Sequence, residues 1–167
     1  MTNIGKRQLR NTDLDQLVRE AMDSGLDCTY NFMFGLPGET ESDFEQVLDF
    51  LKRSGKYLTN TTPSFQCCRF SRWTLTPELK KSFGIEIPIY VEYGKPSPRY
   101  DHWRCETGKN TLPLRVERRT RFIEAFMQFG PQKIEMGEKE IQFLNKMAKQ
   151  DLDEYERLQG KHLEGWI

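Results

Sequence analysis

The sequence predicts an α/β chain of the parallel βα type. Three observations carry that expectation. Residues 26–34 form an apolar run without Gly or Pro, an amphipathic helical pattern stands on either side of it, and the connections are short. With 167 residues, 37% hydrophobic and 30% charged, the composition fits one globular domain with one core.

The first helix is expected to begin at Thr12, an N-cap with Asp15 three residues on. Leu14, Leu17, Val18, Ala21 and Met22 then recur at helical spacing and give one apolar face, which Ser24-Gly25 ends. The strand at 26–34 is broken by Gly35-Leu36-Pro37-Gly38. Thr40 and Asp43 repeat the capping pattern, and Phe44, Val47, Leu48 and Leu51 build a second helix closed by Ser54-Gly55. After Asn60-Thr61-Thr62-Pro63, residues 64–70 read as a second strand. Asn60 fits a glycosylation acceptor, which a chain without a secretory leader would not use. Residues 73–110, rich in proline and aromatic residues, read as a long irregular excursion. Val116, Arg119, Ile123, Phe126 and Met127 mark a helix ended by Gly130-Pro131. Ile141, Leu144, Ala148, Leu152 and Tyr155 mark the apolar stripe of a charged surface helix spanning 135–156.

Lys plus Arg and Asp plus Glu both number 25, so no net charge marks the chain as a binder of nucleic acid or anionic membrane. The run Arg115-Val116-Glu117-Arg118-Arg119-Thr120-Arg121 is locally basic, but its interleaved glutamate and helical spacing read as a solvated helix face. Cys28, Cys67, Cys68 and Cys105 lack zinc-site or cluster spacing, and Cys28 and one of the adjacent Cys67-Cys68 pair are expected to be small buried hydrophobes. Without an apolar leader or a membrane-spanning run, a cytoplasmic chain with reduced thiols is expected.

The most informative segment is Asn31-Phe32-Met33-Phe34-Gly35-Leu36-Pro37-Gly38-Glu39-Thr40. It is a strand whose carboxyl end opens into a Gly-Pro-Gly turn and then a helix N-terminus, the place where α/β proteins put ligands. A turn that binds nothing fits the local pattern too. No Lys follows the second glycine, so the segment is not a Walker loop.

This string, with Glu41-Ser42-Asp43-Phe44 after it, resembles the NFMxGLPGET segment of radical S-adenosylmethionine enzymes, especially the branch that often carries a cobalamin-binding domain. The likeness covers about the first eighty residues, through Arg69-Phe70-Ser71-Arg72 and Thr76-Pro77-Glu78-Leu79; His102-Trp103 and the helix after it echo that branch's C-terminal extension. The resemblance implies a partial parallel (β/α) barrel of TIM type. Residues 1–80 would supply its C-terminal βα units and residues 81–167 an irregular extension plus two helices. In the family a C-x-x-x-C-x-x-C loop holds a [4Fe-4S] cluster that chelates S-adenosylmethionine, and one-electron reduction releases a 5′-deoxyadenosyl radical. This chain has neither that loop nor the cobalamin-binding Asp-x-His-x-x-Gly pattern, so the cluster ligands would be elsewhere and cobalamin use stays open.

What carries over is the adenosyl side. Asn31, Met33 and Gly35 match the fifth-strand residues that pack on the nucleoside, Gly38 completes the turn, and Phe70 and Ser71 match the sixth-strand end that meets the adenine edge. Arg69 and Arg72, which could pair with a carboxylate or phosphate, and His102 and Trp103 are candidate substrate contacts. The expectation is the C-terminal portion of a radical S-adenosylmethionine enzyme, inactive alone, with a missing N-terminal barrel half or a partner subunit. The alternative is a non-catalytic half-barrel that docks to a partner or binds substrate. An open strand edge further predicts a homodimer or a segment folded over it.

Overall fold

The structure is a computed structural model that describes residues 11–26, 28–58, 64–106, 109–131 and 138–160, with the backbone alone for 11–13 and 138–141. Helix α1 spans Asn11–Asp23, strand β1 Asn31–Phe34 and helix α2 Glu41–Ser54, followed by a 3-10 turn at Gly55–Tyr57 and strand β2 at Ser64–Cys67. Helix α3 (Pro77–Phe83) leads into strands β3 (Ile85–Glu86), β4 (Ile89–Glu92), β5 (Lys95–Pro98) and β6 (Arg104–Cys105), and helices α4 (Leu112–Phe129) and α5 (Glu138–Gln159) follow. The fold is mixed α/β.

Strands β1 and β2 pair in parallel across α2, with Asn31 opposite Ser64 and Met33 opposite Gln66. The other two sheets among the described residues, β3 with β6 and β4 with β5, are two-stranded and antiparallel. The described strands therefore form one βαβ unit and no barrel, because only one parallel pair is made.

The βαβ unit forms as its local chemistry directs. Thr40 accepts from the Asp43 N–H, and the Asp43 carboxylate accepts from the Thr40 N–H, so the capping box closes. Phe44, Leu48 and Leu51 are buried beneath α2. Phe32 and Phe34 face them, and the Phe122 ring of α4 lies 4.5 Å from Phe32, 4.9 Å from Phe34 and 5.7 Å from Phe65. One side of the β1–β2 sheet is thus an aromatic core. The alternate residues Asn31, Met33 and Gln66 are exposed, Met33 at 52%.

Several sequence expectations shift. Both strands are shorter than expected, because the flanking residues leave the ladder. Thr12 is itself helical, so the first helix starts before it; its side chain, and the Asn60 acceptor, lie outside the described residues. Leu17 and Met127, expected on apolar faces, are about half exposed. Gly55 closes α2 with right-handed geometry and runs on into the 3-10 turn.

The larger correction concerns residues 73–106, expected as part of an irregular excursion, which form α3 and four short strands. Thr76 caps α3 at Leu79 and left-handed Gly84 ends it. Tyr93 and Gly94, with φ of 52° and 74°, turn the β4–β5 hairpin; positive φ at both central residues matches the right-handed twist of the strands. Ile85, Trp103, Cys68 and Cys105 form the small core of this region. Cys67 packs with Leu112 and Val116, and Ala148, Leu152 and Tyr155 of α5 lie against them, so α5 docks by its apolar stripe. Among the described residues no helix is long and apolar enough to cross a membrane.

Candidate functional site

The turn after β1 is built from backbone geometry that needs glycine. Gly35 and Gly38 have φ of 74° and 79°, where an L side chain is strained. Its free donors go to one carboxylate. Glu39 accepts from Gly35 N–H through both oxygens, each at 3.1 Å, and from Leu36 N–H at 3.2 Å. The same carboxylate takes a 2.7 Å hydrogen bond from Nη1 of Arg118, whose side chain is 2% exposed. Arg118 also reaches Glu41 at 3.2 Å, and Arg121 bonds Glu41 and Glu45. Arg121 is the main reason Glu41 is held below the usual carboxylate range; the Thr40 N–H is the main reason for Asp43.

Arg115, one helical turn before Arg118 and Arg119, is fully buried and crosses the carboxyl ends of both strands. Its methylenes pack so closely on Gly35 that a Cβ there would overlap them. Its guanidinium donates to the Trp103 and Asp101 carbonyls, each at 2.9 Å, and to Asn110 Oδ1 at 3.3 Å. It also stacks over the Trp103 ring at 4.2 Å. Nε has no hydrogen-bond partner among the described residues. Dehydration in this setting pulls its pKa down to about 10. Asn110 Nδ2 donates to the Leu36 carbonyl, a further tie between the turn and the start of α4.

The solvated face expected for 115–121 is therefore overturned. Arg115, Arg118 and Arg119 are buried, because Asp101, Trp103 and Asn110 offer acceptors to Arg115, Glu39 and Glu41 to Arg118, and Asp151 of α5 to Arg119. Sequence reasoning missed Glu39, Asn110, Arg115 and Arg118 as determinants of the turn. The available signal was three arginines at i, i+3 and i+4 on a helix that follows a glutamate-bearing turn.

The candidate residues separate into three groups. Asn31 and Met33 lie on the open sheet face, with Gly35 and Gly38 at its upper end. Phe70 is half-buried, 5.0 Å edge-to-face from Trp103. Ser71 is exposed in a tight turn whose N–H donates to Thr74 Oγ1 at 2.8 Å. Arg69 pairs at 3.4 Å with Asp151 of α5, which also meets Arg119 at 3.5 Å. Arg72 stands 5.6 Å over the exposed Trp73 ring.

His102 and Trp103 are buried. Trp103 Nε1 donates to the Cys68 carbonyl at 2.9 Å, and His102 Nδ1 lies 3.4 Å from Tyr90 Oη. Burial pushes His102 below the usual histidine range, and pushes the Cys68 thiol up to about 11. A cleft of about 290 Å³ that includes Asn31, with Leu14, Tyr30, Val47 and Phe50 in its lining, opens between α1, β1 and α2.

Among the described residues no group of three His, Cys, Asp or Glu side chains could hold a metal ion. No family model, curated protein or solved structure matches the chain.

Proposed function

We propose that this chain supplies part of the adenosyl-side wall of a radical S-adenosylmethionine barrel, with the [4Fe-4S] ligands contributed by polypeptide outside this sequence. The observation that carries the reading is the pairing of an open sheet face with a rigid turn. Asn31, Met33 and Gln66 present one uncovered surface, and Gly35 and Gly38 close its carboxyl end in left-handed conformations. A flexible thioether beside a side-chain amide suits the flat face and polar edge of a nucleoside. In this reading the parallel pair is a fragment of a larger parallel sheet, and the aromatic face under α2 and α4 is the outer side of a barrel. Phe70 and Ser71 would stand at the end of the next strand, and Arg69, Arg72, His102 and Trp103 would organise the cover above it.

The chain's own residues bind and orient in this scheme. The cluster and S-adenosylmethionine would supply the radical chemistry when bound. The sequence carries no Asp-x-His-x-x-Gly pattern for cobalamin, so any cobalamin in the assembly would be held by the same polypeptide outside this sequence.

The test is a titration of S-adenosylmethionine and 5′-deoxyadenosine followed by amide NMR shifts. With one wall present the affinity is weak, so millimolar ligand is used. Shifts confined to Asn31, Met33, Gly35 and Gln66, and abolished by Met33→Glu, are expected. Saturating ligand with no shift at those amides would contradict the reading.

A further inference from the structure

We infer that Glu39 is an internal anion that fills the anion-binding position of the turn, so that this end of β1 selects against ligands carrying a phosphate or carboxylate there. A glycine-bearing turn at the carboxyl end of a parallel strand, with consecutive N–H groups converging near a buried arginine, is the donor set by which proteins hold phosphates. In this chain those donors are Gly35 N–H, Leu36 N–H and Arg118 Nη1, and all three point at Glu39. The carboxylate is 14% exposed and both its oxygens are used. It sits four residues from Gly35, so its effective concentration at the donors far exceeds that of any free anion. Glu41, also on Arg118, adds a second negative charge at the same guanidinium. An incoming phosphate meets spent donors and two carboxylates, whereas a neutral or cationic ligand group meets no repulsion.

The assignment of the internal anion stands on these hydrogen bonds alone. The ligand class it implies, a nucleoside without a 5′-phosphate, rests on the adenosyl reading above.

The experiment titrates inorganic phosphate, adenosine and adenosine 5′-monophosphate into the wild-type chain, Glu39→Ala, and the double variant Glu39→Ala with Arg118→Met. Amide shifts of Gly35 and Leu36 and the melting temperature are recorded. Wild type is expected to show no phosphate response. Glu39→Ala is expected to bind phosphate with shifts at Gly35 and Leu36, to melt higher as phosphate rises, and to gain at least about tenfold for the monophosphate over adenosine. The double variant should lose that gain. Should Glu39→Ala be unfolded at every phosphate concentration, Glu39→Gln is measured instead; its amide oxygen still accepts from the turn but carries no charge and is displaced more readily by phosphate, so a smaller gain at the same amides is expected, and none in the folded variant would overturn the inference.

A phosphate response in wild type equal to that of the variant, or none in the folded variant, would overturn the inference. Absence of adenosine binding together with a gained phosphate site would overturn the adenosyl reading and leave the internal anion in place.

Discussion

The β1–α2–β2 unit and the segment that covers its carboxyl end are held by opposite means. In the first, Phe34, Phe44, Leu51 and Phe122 are almost fully buried at positions spaced by the periods of strand and helix. In the second, Trp103, His102, Asn110, Arg115 and Arg118 are equally buried, but they are held by polar contacts: Arg115 to the Trp103 carbonyl and Asn110, Trp103 to the Cys68 carbonyl, Asn110 to the Leu36 carbonyl, His102 to Tyr90 and Arg118 to Glu39. Apolar burial is non-directional and tolerant, whereas the polar set depends on directional pairs of donor and acceptor, with Arg115 Nε without a partner among the described residues. The difference teaches where the molecule is rigid: the turn is fixed from above by α4 as well as from below by its own strand.

The largest break in this contrast is expected from the aromatic side. Phe122→Ala removes a ring that touches Phe32, Phe34, Phe65 and Phe126, and should cost about 3–5 kcal/mol in urea unfolding. On the polar side, Arg115→Leu removes the desolvation cost of the charge but strands the Trp103 and Asp101 carbonyls. A net loss of about 2–3 kcal/mol is expected, with faster hydrogen exchange at 101–110 and little change at β1. Equal exchange changes in both regions would show that the two are one cooperative body.

The two regions also differed in how far the sequence disclosed them. Helix α2, both strands of the unit and the turn were legible because a cap, a period and paired glycines are local signals. The Leu17 and Met127 exposures were not, since an apolar face says nothing about how much of it another element covers. Arg115 and Arg118 look like surface residues in the sequence because a buried arginine has the same local signature as a solvated one; only the fold brings Asp101 and Trp103 to Arg115 and Glu39 to Arg118. Residues 73–110 looked irregular because two-residue strands such as β3 and β6 are too short to establish a period.

Acid should separate the regions again, with a smaller effect. His102 faces Asp101, Arg99, Glu154, Arg115, Tyr90 and Tyr155, and its folded pKa lies below the ordinary 6.5. The unfolded chain therefore takes up the proton first, and the stability owed to neutral His102 is lost as pH falls from about 6.5 toward the folded pKa. Glu41 and Asp43 also have lowered values, but their contribution persists until pH drops below the ordinary 4.5 and 3.8. Stability should thus slope downward as pH falls below about 6.5 in wild type and be flatter there in His102→Gln, read from urea midpoints. Parallel slopes would remove His102 from the account.

The central claim is that α4 fixes the turn through the Glu39–Arg118 pair. A double-mutant cycle in urea tests it directly, with Glu39→Gln, Arg118→Met and the double variant. The account predicts a coupling energy of at least about 1 kcal/mol, because Arg118→Met leaves the nearly buried Glu39 without its counter-charge and Glu39→Gln leaves the buried Arg118 with the more exposed Glu41 alone. Additivity within about 0.3 kcal/mol would contradict it, since the two side chains would then stabilise the chain independently.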